Sequence, residues 1–94
     1  MVRQLIFSKG FNKSFKKFSS KNQLLRTSIA STLQKLQDDA YHPFLRTHKL
    51  SGKLAIYMAC SCGYDCRIVF SIEKDQSGIE YILLIDIGTH DDVY

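Results

Sequence analysis

Four side chains stand out from an otherwise ordinary 94-residue chain. His48 lies in Arg46-Thr47-His48-Lys49-Leu50, Asp65 and Arg67 open the run Asp65-Cys66-Arg67-Ile68-Val69-Phe70, and His90 follows Gly88-Thr89. Two imidazoles, a carboxylate and a guanidinium are what RNA cleavage without a metal requires. In that reaction the 2′-hydroxyl attacks the adjacent phosphorus. One group removes the 2′ proton, another protonates the leaving 5′ oxygen, and a cation stabilises the charge gathering on phosphorus. An imidazole titrates near ~6.5 and can serve in either proton transfer. A guanidinium offers phosphate a planar fork that lysine cannot copy. Arg46, Lys49 and Lys53 are candidates to hold the RNA beside these groups.

Each residue also has a plainer use. His48 fits an exposed loop, and His90 the end of a strand. Asp65 suits the turn after Gly63-Tyr64. Arg67 could be the cross-strand partner of an acidic residue. His42, just before Pro43, reads as structural. What favours chemistry is that the four groups fall at strand ends or off the apolar faces.

The elements that must position them follow from periodicity. Residues 3–7 read as a short strand. Ser8 can cap a helix with Phe11, Phe15 and Phe18 on one stripe. Ser20 with Gln23 fits a capping box for a second helix, whose stripe is Leu25, Ile29, Leu33 and Leu36, ending near residue 40 before Pro43. Residues 41–53 are a basic connection. Three strands then run from Leu54 to Cys60, Cys66 to Glu73 and Ile79 to Ile87. A turn over Asp75-Gln76-Ser77-Gly78 with Lys74 facing Ile79 would put Arg67 opposite Asp86, Val69 opposite Leu84 and Ser71 opposite Ile82. Cys66, Ile68, Phe70 and Ile72 then share the face under the helices, and Arg67 lies on the free face. The expectation is an α+β domain over residues 1–94, in the order β-α-α-β-β-β, with a helical hairpin packed on an antiparallel sheet.

Bulk composition narrows the classes. No apolar run approaches the roughly 18 residues of a membrane span, and the apolar part of residues 1–9 is too short for a signal peptide. The expected location is the cytoplasm. Cys60, Cys62 and Cys66 are an odd, clustered set, which reads as buried reduced thiols and not as a disulfide framework. Their C-x-C-x3-C spacing is not the two-pair pattern of structural zinc, so neither metal nor cofactor is expected. The net charge of +4 hides an asymmetry: residues 1–53 carry 11 basic and 2 acidic groups (+9), and residues 54–94 carry 2 and 7 (−5). The basic half is a candidate for phosphate backbone or an acidic partner.

With His48-Lys49-Leu50-Ser51-Gly52, Asp65 to Phe70, Gly88-Thr89-His90 and the Phe-x3-Phe helix in this order, the chain resembles the RelE/ParE superfamily of bacterial toxins, and within it the YafQ-like mRNA interferases. The resemblance implies a toxin of a type II toxin-antitoxin system that cuts translated mRNA in the ribosomal A site and is neutralised by a cognate antitoxin. It also implies that His48, Asp65 and His90 match the loop histidine, aspartate and C-terminal histidine of the pattern, that Tyr94 matches its C-terminal aromatic, and that Arg67 matches an arginine of the RelE branch. The chain departs from the pattern in three places. A further histidine falls near Ser61, the aromatic after the aspartate is Cys66, and a basic residue of the last strand is Asp86. Two other functions stay open: a ParE-like toxin that binds and inhibits DNA gyrase, and a basic RNA-binding module without catalysis.

Overall fold

The computed structural model describes residues 2–93. Its elements are β1 (Gln4–Phe7), α1 (Lys9–Ser19), α2 (Gln23–Asp38), β2 (His48–Lys49), β3 (Met58–Gly63), β4 (Cys66–Lys74), β5 (Glu80–Gly88) and α3 (His90–Val93), with 3₁₀ turns at Pro43–Leu45 and Gly52–Leu54. The sheet order is β1-β5-β4-β3-β2. β1 runs parallel to β5, and the other neighbours are antiparallel. Arg3 ties β1 to the start of β5 through Glu80 Oε1, 2.9 Å from Nη2. The α+β layout expected from the periodicity is present, with β2 and α3 added to it.

The helix stripes find the core as the periodicity required. Phe11, Ile29 and Leu36 are fully buried, and Phe15, Phe18, Leu25 and Leu33 pack at the margin of the same cluster. Opposite them lie Cys66, Ile68 and Phe70 of β4 with Ile82, Leu84 and Ile87 of β5. Ser8 caps α1, its Oγ accepting the N–H of Phe11 at 3.0 Å. The cap of α2 is Asn22, not Ser20: Asn22 Oδ1 accepts the N–H of Leu25. Ser20 is spent ending α1, and Lys21 takes a left-handed φ of 59° between the helices, so the capping group has to lie two residues later.

Three further expectations change. The strand expected from Leu54 starts at Met58, because Gly52 at φ +64° turns the chain and Leu54 and Ala55 bond back to Ser51 and Gly52. The β4–β5 loop is longer by one residue than expected. Asp75 Oδ1 accepts the N–H groups of Ser77 and Ile79, Gly78 supplies φ +82°, and Lys74 therefore faces Glu80. The register then shifts once more between Val69 and Phe70, leaving Ile85 as an extra residue on β5. Arg67 consequently lies opposite Gly88, and Asp86 lies opposite Val69. The bulge keeps the faces sorted: Ile82 and Leu84 before it and Ile87 after it all reach the core, which an unbroken alternation could not achieve.

The cysteines differ as well. Cys62 and Cys66 form a disulfide across the β3–β4 turn, with Cα atoms 5.0 Å apart, and Cys60 alone is a free, buried thiol. A two-residue turn with Gly63 opposite Cys66 brings close two cysteines whose sequence separation carries no such signal. Burial pushes the Cys60 thiol up to about 12, against a smaller opposing pull from the Arg67 charge.

Candidate active site

The end of β5 is built around one histidine. Gly88 closes the strand, and Thr89 and Asp92 then cap α3 reciprocally. Thr89 Oγ1 accepts the N–H of Asp92 at 3.2 Å, and Asp92 Oδ2 accepts the N–H of Thr89 at 3.3 Å. This is a capping box with aspartate in the place of glutamate. The N–H of His90, between them, goes to Asp65 Oδ1 at 3.0 Å. The backbone at His90 is thus held by its own helix and by the β3–β4 turn. Gly88 permits this: a Cβ there would lie 2.9 Å from Asp92 Cβ. The His90 ring is exposed, with Nδ1 3.7 Å from Asp91 Oδ1.

Asp65 reaches His90 because its own backbone is left-handed, at φ 49°. Aspartate tolerates that region better than most residues. Arg67 follows two residues on, opposite Gly88 on one side and Ser61 on the other. Its Nη1 donates to the Cys66 carbonyl at 2.9 Å and lies 3.5 Å from Ser61 Oγ. Among the described residues Arg67 makes no ion pair. Asp86, the expected neutralising neighbour, accepts instead from the N–H of Ile87. The Arg67 face is not bare, however. Val69 is 4% and Ser71 3% exposed. Ser71 Oγ has no hydrogen-bond partner among the described residues.

The remaining candidates spread outward. His48 pairs with Ala59, and through it with Val69 and Asp86. Three strand spacings, about 14 Å, therefore separate its strand from β5. His48 Nδ1 lies 3.0 Å from the Arg46 carbonyl. With the proton on Nδ1, that contact puts the lone pair of the neutral ring on Nε2. Lys49 is exposed on β2 and Lys53 is exposed in the second 3₁₀ turn. Arg46 is exposed with φ 53°. Tyr94 lies outside the described residues.

A cleft of about 870 Å³ opens beside Arg67. Strand β2 covers β3 only at Met58 and Ala59, which leaves the outer edge of β3 facing α2 further on. Ser28 Oγ donates across the gap to the Cys62 carbonyl at 2.7 Å. Lys35, Phe44, Arg46, Tyr64, Asp65 and Arg67 line the cleft. Of these, Lys35, Phe44 and Tyr64 went unread in the sequence. The Thr89-x-x-Asp92 box was unread too, although its spacing carried the signal. Among the described residues no cluster of His, Cys, Asp and Glu could hold a metal ion, and no helix is long and apolar enough to cross a membrane.

Residues 3–94 match the family described as bacterial toxin of type II toxin-antitoxin system, YafQ. The chain belongs to this family. Among solved structures, YafQ from Escherichia coli strain BL21(DE3) superposes with a TM-score of 0.78 over 98% of both chains at 14% identity. The E. coli DinJ-YafQ toxin-antitoxin complex gives 0.76 over 100% of this chain and 99% of the other, again at 14%. A YoeB/ParE toxin from Agrobacterium tumefaciens gives 0.76 over 93% and 98%, at 13%. At these identities the structural likeness speaks for the fold. No curated protein matches the chain in sequence.

Proposed function

We propose that this YafQ-family toxin is an endoribonuclease that cuts translated mRNA in the ribosomal A site through attack of the 2′-hydroxyl. The observation that carries the reading is the joint placement of Asp65, Arg67 and His90, with His90 fixed by the capping box and by Asp65. Arg67 meets the phosphate and stabilises its added negative charge. His48, bonded through Nδ1 to a carbonyl, presents Nε2 as the base for the 2′ proton. His90, whose Nδ1 lies 3.7 Å from Asp91 Oδ1, delivers a proton to the 5′ oxygen. β2 and β5 lie on opposite sides of Arg67, and since the 2′ and 5′ oxygens share one phosphorus, the two imidazoles have to reach inward from both sides to a single phosphate at Arg67. Asp65 is a positioning residue in this scheme: its carboxylate acts through the His90 backbone. Arg46, Lys49, Lys53 and Tyr94 bind RNA.

A cognate antitoxin neutralises the toxin, as the DinJ-YafQ complex illustrates for a structural neighbour. The +9 charge of residues 1–53 (11 basic groups less 2 acidic) suits both a ribosome and an acidic antitoxin segment. The test is primer extension on an mRNA with and without translating ribosomes, using the wild type and His90→Ala. Ribosome-dependent stops that the variant lacks support the reading. An uncut message together with inhibited DNA supercoiling would replace it with gyrase inhibition.

A further inference from the structure

We propose that the cleft between α2 and the outer edge of β3 is a track for single-stranded RNA, holding the nucleotides that flank the cleaved bond. As a description of substrate binding it rests on the endoribonuclease reading; as a binding site it stands on its own chemistry. Three cations, Lys35, Arg46 and Arg67, line the cleft against one carboxylate, Asp65, which is already bonded to the His90 N–H. Lys35 donates to Ser31 Oγ at 3.2 Å. That contact uses a lone pair of the hydroxyl and leaves its proton to donate to phosphate.

Two aromatic rings on this rim stand largely in solvent. Phe44 is 76% exposed and Tyr64 fully exposed at the tip of the β3–β4 turn. The left-handed position of this turn is Asp65 and not Tyr64, so backbone geometry does not dictate which residue stands at 64. Phe44 is held in place: its N–H donates to His42 Nδ1 at 3.1 Å, and the two rings lie 5.0 Å apart. Exposed rings alternating with cations in a groove are the physical requirement for single strands, whose bases stack on the rings while phosphates follow the charges. An acidic peptide would use the cations and have no use for flat rings. A duplex keeps its bases stacked inside and cannot use them either. Arg67 belongs both to the cleft and to the candidate active site, so a strand lying in the cleft leads to the phosphate that is cut.

The experiment measures binding of the full-length protein to a fluorescein-labelled single-stranded 10-mer RNA by anisotropy, with an RNA duplex and an Asp/Glu-rich peptide as competitors. Phe44→Ala combined with Tyr64→Ala should weaken binding by roughly thirtyfold or more, from two lost stacking contacts. Lys35→Glu should weaken it and flatten the salt dependence by about 0.7 in slope, as one phosphate contact is lost. Lys74→Glu, at the far hairpin, should change little. Circular dichroism checks that each variant is folded, which the exposure of both rings favours. Unchanged RNA binding by the aromatic double variant overturns the track, and so does a duplex that competes as well as the single strand. Displacement of RNA by the peptide, with peptide affinity falling in the same aromatic variant, makes the cleft a polypeptide-docking surface and overturns the proposal as well. Failure of the two readings is separable. Single-strand binding that depends on Phe44 and Tyr64, without any mRNA cleavage, supports the track and removes the nuclease. Ribosome-dependent cleavage that the double variant retains at full rate removes the track alone.

Discussion

Asp65 offers the sharpest test of how the site works, because three substitutions separate its possible uses. Its carboxylate accepts the His90 N–H at 3.0 Å, and its backbone sits at φ 49°. Asparagine keeps an acceptor oxygen and tolerates the left-handed backbone. Glycine removes the acceptor but relieves the backbone. Alanine removes the acceptor and adds strain of roughly 1 kcal/mol at positive φ. A hydrogen bond of this kind, at an exposed helix start, contributes about 1 kcal/mol. α3 has only four residues, so that loss falls on the fraction of molecules with His90 in place. About 1 kcal/mol corresponds to a drop of roughly fivefold. Single-turnover cleavage on programmed ribosomes should therefore stay near wild type for Asp65→Asn and fall about fivefold for Asp65→Gly. Asp65→Ala should show the same fall and a lower melting temperature besides. An Asp65→Asn variant impaired by roughly 10²–10⁴, the worth of a lost acid or base, would refute positioning and make the carboxylate a proton-transfer group.

Replacing His48 or His90 by Ala should each cut turnover by roughly 10²–10⁴ with an unchanged melting curve, since both side chains are exposed; wild-type rates in both variants would remove the mechanism. Arg67→Lys should lose cleavage while keeping the fold, because a point charge cannot replace the planar fork; an active variant that unfolds more easily would reduce Arg67 to a strand partner. Gly88→Ala should lower cleavage without loss of secondary structure by circular dichroism, as its Cβ would lie 2.9 Å from Asp92 Cβ and open the α3 cap. Cys62→Ser with Cys66→Ser should lower stability in urea by about 2 kcal/mol under oxidising conditions, the loop entropy of so short a crosslink, and make no difference relative to reduced wild type.

The parts of this fold legible in the sequence were those fixed by local periodicity. The stripes Phe11-Phe15-Phe18 and Leu25-Ile29-Leu33-Leu36 announced two helices, and both reach the core. What local pattern could not give were contacts decided elsewhere in the chain. The capping choice between Ser20 and Asn22 depended on Ser20 ending the previous helix. The start of β3 depended on a left-handed Gly52. The Cys62–Cys66 bond depended on how tightly one turn closes. The site shows the same division. Asp65, Arg67 and His90 were identifiable by residue type, and the structure gathers them. The hydrogen bond from His90 to Asp65 joins residues 25 apart in sequence and needed the folded turn.

The bulge at Ile85 connects these two levels. Continued from the hairpin turn without a shift, the β4–β5 pairing would set Arg67 opposite Ile87 and place Asp86 opposite Ile68, on the core face. Burying that carboxylate and exposing Ile87 would be costly. One extra residue on β5 removes the conflict, and the chain supplies partners for it. Ser8, the cap of α1, donates its N–H to the Leu84 carbonyl at 3.2 Å and its hydroxyl to the Ile85 carbonyl at 3.3 Å. The same shift sets Gly88 opposite Arg67, and so fixes where α3 begins and on which side of the sheet end His90 stands. The position of the candidate acid relative to the candidate phosphate-binding arginine is therefore a by-product of keeping Asp86 out of the core. A change that abolishes the bulge should move His90 without touching any residue of the site.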